Sequence, residues 1–193
     1  MKLFTRLYDM TLSWSRHPRA PQYLGALSFA ESSFFPIPPD VMLMPMTLAK
    51  PRFAMYYAAL TTLMSVLGGM AGYAIGYFAL EWVQPLISDG GHWAEAYTKA
   101  SLWFGEWGFW AVLIAGFSPI PYKVFTISAG ALSMSFIPFV LASVVGRGGR
   151  FFLVAGLLAW GGEATEARIR RYVEWIGWSL VVLVVIAWLV LRG

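Results

Sequence analysis

Five ionisable side chains interrupt stretches that are otherwise apolar: Glu31 and Asp40 within residues 21–49, Lys123 within 107–132, and Arg147 and Arg150 within 136–160. An arginine at the centre of a bilayer costs about +3 kcal/mol, so two of them demand acidic partners, a bound anion or a water-filled cavity. Glu31 and Asp40 are the obvious partners. Two negative and three positive charges sum to +1, which suits a phosphate monoanion held by Lys123, Arg147 and Arg150. The two carboxyls can also take up a proton at such depth, which makes Glu31 and Asp40 the candidates for proton or charge coupling. Other readings stand beside this one. Arg147-Gly-Gly-Arg150 also fits a surface turn, Glu31 a protonated carboxyl bonded to Ser32, Ser33 or backbone, and Asp40 a cap on the helix that follows it.

The elements that must position these charges follow from composition. Of 193 residues, 59% are apolar and 12% charged, against roughly 25% charged in a soluble domain. So few polar residues cannot clothe a water-facing surface, and the chain reads as an integral membrane protein. With no Cys and two His (His17 and His92), disulfides, thiolate nucleophiles and multi-His metal centres are excluded. No cofactor is expected. Residues 53–80 carry no charge and, as a helix, extend about 42 Å, enough to span. Residues 175–191 are a second uncharged run, flanked by Trp175 and Trp178.

Two apolar segments cannot be continuous helices. Pro36, Pro38, Pro39 and Pro45 interrupt residues 21–49, and Pro119 and Pro121 interrupt residues 107–132. Broken apolar arms of this kind read as re-entrant hairpins that enter and leave the bilayer on one side, with Pro36, Pro38, Pro39, Pro119 and Pro121 at the bends. At an offset of 83, Pro36, Ile37, Pro38 and Val41 fall on Pro119, Ile120, Pro121 and Val124; Gly25 falls on Gly108, Phe53 on Phe136, and Asp40 on Lys123. The spacing predicts an internal repeat, a broken hairpin and then a spanning helix, over residues 21–80 and 107–162. Residues 81–106 read as an external loop with a short amphipathic helix. Residues 1–20, basic and aromatic without a cleavage site, read as an interfacial or solvated N-terminal helix rather than a signal peptide. Residues 163–193 form a basic loop and a C-terminal span. All belong to a single membrane domain, 1–193.

Basic residues orient this arrangement. Lys2, Arg6, Arg16, Arg19, Lys50 and Arg52 precede the first span, only Lys99 lies in 81–106, and Arg168, Arg170 and Arg171 follow the second long span. The bias places the N-terminus in the cytoplasm and the central loop outside. The two hairpins then enter from opposite faces, an inverted repeat with its binding site near the midplane. The expected fold class is therefore an all-α integral membrane protein: two oppositely inserted re-entrant hairpins, each followed by a spanning helix, and a C-terminal span. Gly68, Gly72 and Gly76 form a small-residue ridge, read as a packing surface.

FAESSFFPIPPDVMLMPM, the glycine-ridged span after it, and AGFSPIPYKVFTISAGALSM with its following GRGGRFF run resemble the DedA superfamily, the SNARE-associated or VTT-domain group, in its short YqaA-type branch. The resemblance covers residues 20–162. It implies opposed re-entrant hairpins and movement of lipids between leaflets, undecaprenyl phosphate in bacterial relatives and phospholipids in eukaryotic ones, and it implies a bacterial inner membrane. Glu31 and Asp40 are similar to the family's paired acids, and Lys123 stands at the second arginine of a G-R-F-x-P-x-x-R pattern. Phe117 occupies the place of the first.

The expected function is a flippase- or scramblase-like lipid transporter for an anionic headgroup, undecaprenyl phosphate or a phospholipid, with proton coupling as a hypothesis. Its partners are that lipid and the membrane; a homo-oligomer is left open. The +4 net charge needs no nucleic acid. The alternatives are a proton-coupled carrier of a small ion or solute, and a non-transporting assembly factor. An enzyme is not expected, because neither His lies in an apolar segment and no nucleophile-elbow or zinc-protease motif occurs.

Overall fold

The computed structural model describes residues 14, 15, 17–88, 92–118 and 120–161, with side chains for all of these except 81–96. The described residues form helices and connecting turns, with no strand among them: α1 (Ala20–Ser33), α2 (Asp40–Ala49), a 3-10 turn (Pro51–Phe53), α3 (Ala54–Ser88), α4 (His92–Phe117), α5 (Tyr122–Ala131) and α6 (Phe136–Gly161). The all-helical class is thus as the composition and periodicity predict. Pro119, the N-terminal segment 1–13, the basic loop and the span expected at 175–191 lie outside the described residues.

Prolines set the breaks. α1 stops at Ser33, and Pro36, Pro38 and Pro39 hold the connection before α2 begins at Asp40. At 14 and 10 residues these arms rise only about 21 Å and 15 Å, short of a hydrocarbon core of about 30 Å. Pro45, counted among the interruptions, lies inside α2 instead. It removes one backbone donor, a local loss that packing against α6 outweighs. Pro121 precedes α5 in the same way that Pro39 precedes α2.

Among the described residues three helices are long and apolar enough to cross a membrane: Pro51–Leu80, Tyr97–Phe117 and Phe136–Gly161. The first and third are the expected long spans, and Arg147-Gly-Gly-Arg150 lies within α6 rather than in a surface turn. The second differs from expectation. α3 continues past residue 80 through Glu81 and Pro85 to Ser88, where the loop was expected, and α4 runs unbroken across residues 106 and 107, where a short amphipathic helix was expected to give way to a separate hairpin arm. No proline falls between residues 92 and 118, so nothing in α4 forces a break before Phe117.

α3 and α6 form the centre. α3 packs on α1, α5 and α6, and α6 packs on α3, α4 and α2. In lipid no hydrophobic force drives helices together, so close backbone approach must do so. A Cβ on Gly68 would collide with the Phe29 carbonyl of α1, one on Gly76 with the Ile127 carbonyl of α5, and one on Gly146 with the Leu113 carbonyl of α4. The glycine ridge is a packing surface on two sides. Two apolar clusters flank it, one around Leu24, Met42, Leu43 and Phe151, the other around Val112, Tyr122, Ala129 and Phe139.

This packing fixes where the broken helices end. Ser33 Oγ, at the end of α1, donates to the Gly68 carbonyl near the middle of α3 (2.9 Å). Gly116, at the end of α4, faces the backbone of Gly146 and Arg147 near the middle of α6. Both breaks therefore lie at half the depth of a long helix.

Candidate functional site

The five singled-out charges meet between the two breaks. Arg147, 3% exposed, donates from Nη2 to Glu31 Oε2 at 2.5 Å, and Arg150 donates from Nη2 to Asp40 Oδ2 at 2.7 Å. Side-chain exposures of 13% for Glu31, 15% for Asp40 and 12% for Arg150 leave all three largely withdrawn from the surface. Glu31 lies in α1 and Asp40 opens α2, while both arginines lie in α6, so each pair ties the two halves of the chain together. Asp40 opens α2 without capping it by a side-chain bond; its charge lies in the first turn, where the helix dipole favours an anion.

The third cation serves a different need. Helix ends leave carbonyls without intrahelical partners, and at membrane depth those groups must be satisfied. Lys123 Nζ donates to the Phe35 carbonyl in the first break (3.1 Å), and Arg150 Nη1 donates to the Ser118 carbonyl in the second (2.8 Å). Each break is stabilised by a cation from a more distant helix, α5 for the first and α6 for the second.

Arg147 is enclosed. Its Nε donates to Ser65 Oγ (2.6 Å), Ser65 and Ser32 share a bond of 2.6 Å, and Ser32 Oγ donates to Glu31 Oε2 (3.1 Å). If Ser65 accepts from the guanidinium, its own proton points to Ser32 and that of Ser32 to Glu31, so the ring closes with every hydroxyl used once. The guanidinium also lies over two rings, 4.9 Å from the Tyr122 centroid and 4.7 Å from that of Phe151. Such contacts are worth up to about 2 kcal/mol each when desolvated.

Arg150 is not enclosed. Its Nε and the neighbouring Ser118 Oγ are buried without a hydrogen-bond partner. Two donors therefore remain at the second break, and Lys123 Nζ, with three N–H groups, bonds the Phe35 carbonyl of the first. An anionic oxygen is the acceptor such a set would take.

Among the bend prolines, Pro39 is buried while Pro36, Pro38 and Pro121 are exposed. Ser32, Ser65, Tyr122 and Phe151, and the Phe35 and Ser118 carbonyls, are the site members that reading from charge alone misses. Ser65 had one available signal, a hydroxyl four residues after Thr61 and three before Gly68 on an otherwise apolar span. The carbonyls had none.

The VTT domain family model matches residues 37–160. An uncharacterized protein of Haemophilus influenzae is 51% identical over 193 residues, covering all of both chains. One of Histophilus somni is 46% identical over 195 positions, again covering both chains entirely. No solved structure matches. The chain belongs to the VTT-domain family, the DedA or SNARE-associated group, and is a membrane protein.

Proposed function

We propose that this VTT-domain chain carries an anionic lipid headgroup between leaflets, using the second break as the seat for the phosphate. One observation carries the reading: oppositely charged side chains from both halves converge at two helix breaks halfway along apolar helices, and donors remain unused at one of them. A lipid tail can stay in the hydrocarbon while only its headgroup needs this path. Lys123 and Arg150 would receive the phosphate, and Asp40 would hold Arg150 between transits. Arg147 and Glu31, expected from sequence to join in binding and coupling, are better suited to pinning the halves together, because their partners are already supplied.

The opposed re-entrant topology belongs to the same proposal. Two short arms in the first hairpin, the ends of α1 and α4 beside the middles of α3 and α6, and α2 and α5 starting within one residue of the offset of 83 all support it. α4 fits as a re-entrant arm if its C-terminal part alone dips to half depth while its start lies at the surface. A bacterial inner membrane is what the family resemblance implies, and the distribution of basic residues supports a cytoplasmic N-terminus. The role is non-enzymatic.

Undecaprenyl phosphate and a phospholipid are the two substrates to separate. In proteoliposomes, leaflet transfer of labelled polyprenyl phosphate faster than that of phosphatidylglycerol or phosphatidylcholine supports the first, and equal acceleration of all supports scrambling. No acceleration of any lipid over empty vesicles sinks both. Proton coupling, motivated by Glu31 and Asp40, requires the rate to respond to an imposed pH gradient. Inhibition by soluble ions without lipid transfer favours a solute carrier, and undisturbed cell phenotypes in charge-neutral variants favour an assembly factor.

A further inference from the structure

The unpartnered donors at the second break are shut in. Arg150 Nε and Ser118 Oγ are buried and meet no acceptor, so no ligand reaches them until a neighbouring element moves aside. An unmade hydrogen bond at such depth costs free energy, and a second arrangement that makes it recovers that cost.

The helices are not fastened alike. α1, α4 and α5 each cross a long helix backbone to backbone, at Gly68, Gly146 and Gly76, where one added carbon would strike a carbonyl. No described glycine has α2 for its neighbour. Asp40, Met44 and Leu48, four residues apart on one face of α2, lie instead along Arg150, Val154 and Leu158, four apart on α6. That contact is one ion pair at the start of α2 and apolar side chains beyond it. Met42, Met44 and Met46 make up three of the ten residues of α2, and unbranched methionines repack readily. Its Thr47 hydroxyl is buried without a partner, whereas Thr61 and Thr62 of α3 and Ser143 of α6 each bond the carbonyl four residues back. Pro36, Pro38 and Pro39 precede α2 and Pro51 follows it, so it is a separate short rod with a possible hinge at either end.

Two charged bonds hold that rod at the second break. Arg150 grips Asp40, its first residue (2.7 Å), and Lys123 Nζ holds the Phe35 carbonyl in the connection leading into it (3.1 Å). An anion can compete for both cations, taking Lys123 from a neutral acceptor and Arg150 from a carboxylate. We propose that α2 is a gate over the second break, latched by Asp40 on Arg150 and by Lys123 on Phe35, and released when an anion displaces both. The identity of the releasing anion rests on the reading of the second break as a phosphate seat; the movement of α2 does not.

The chain has no cysteine, so introduced thiols are unique. Nitroxides at Pro38→Cys, exposed just before α2, and at Ile137→Cys, exposed on α6, report the separation of the two elements by pulsed electron resonance in nanodiscs. One main separation is expected with the latch intact. Asp40→Asn with Arg150→Gln should raise the population of a second separation by about tenfold. The same single distribution with and without the latch overturns the gate. In the second arm, Met44→Cys and Val154→Cys, both apart from the charges, are joined by a reducible linker in proteoliposomes. Leaflet transfer should fall by about tenfold or more on joining and return on reduction. Transfer by the joined protein at the unjoined rate also overturns the gate. If the unaltered protein moves no lipid, the carrier reading fails by itself, and the spin-label distances still decide whether α2 moves.

Discussion

Arg147 and Arg150 lie one turn apart on one helix and each faces a carboxylate, Glu31 of α1 or Asp40 of α2, yet their surroundings are unlike. Arg147 has two serines, a glutamate and two aromatic rings around it; Arg150 has an aspartate, one carbonyl and an unpartnered Nε beside an unpartnered serine hydroxyl. A saturated buried ion pair resists change, because removing either member strands the other. An incompletely satisfied one can accept a further ligand at little cost. In the proposed function the same pair chemistry serves as a pin at one turn and as a seat at the next, with the neighbouring hydroxyls and rings making the difference.

The largest effect should follow from breaking the pin. Arg147→Gln leaves Glu31 buried among Ser32 and apolar groups, a loss of about 3–5 kcal/mol in folded-state stability. It should appear as a large drop in the melting temperature of the detergent-solubilised protein. Adding Glu31→Gln should restore a good part of it, since the stranded charge is gone. If the double variant is no better than the single one, the pair is not coupled as described.

Next in size, Gly68→Ala would drive a methyl into the Phe29 carbonyl and push α1 away from α3, opening the Ser32–Ser65 contact that closes the ring. Overpacking of this kind costs about 1–3 kcal/mol. Gly105→Ala, with open space around its Cβ, is the control: it should be neutral or stabilising by up to about 1 kcal/mol, because alanine is the better helix former. Comparable losses in both would show that helix propensity, not the close crossing, dominates.

The smallest stability effect is expected at Ser118→Ala. That hydroxyl has no partner and Arg150 bonds only the backbone carbonyl, so melting should shift by less than about 1 kcal/mol equivalent. Leaflet transfer should nonetheless slow by about three- to tenfold if the hydroxyl meets the phosphate. Transfer at the unaltered rate would remove Ser118 from the seat.

Much of this was legible in the sequence because membrane physics leaves few options. An uncharged run of the length of residues 53–80 has one sensible state, prolines at 36, 38 and 39 end a helix, and charges as isolated as Arg147 and Glu31 must find each other. What could not be read depended on tertiary placement. The polar residues Glu95, Lys99 and Glu106 suggest a short surface helix that ends before residue 107, yet α4 runs on as one helix to Phe117, with Tyr97 and Ser101 bonded to the α5–α6 turn. Nor does any sequence pattern separate Arg147 from Arg150 by role. Ser65 lies 82 residues from Arg147, and carbonyl partners such as Phe35 leave no trace in residue type.

The most direct test of the division between pin and seat is leaflet transfer by Arg150→Gln combined with Asp40→Asn, reconstituted beside the unaltered protein and normalised to folded material. Removing both charges leaves no stranded ion. Melting should stay within a few degrees of the unaltered protein while transfer of the anionic lipid falls at least tenfold, about 1.4 kcal/mol or more of lost headgroup binding. Full transfer by that folded double variant would contradict the account.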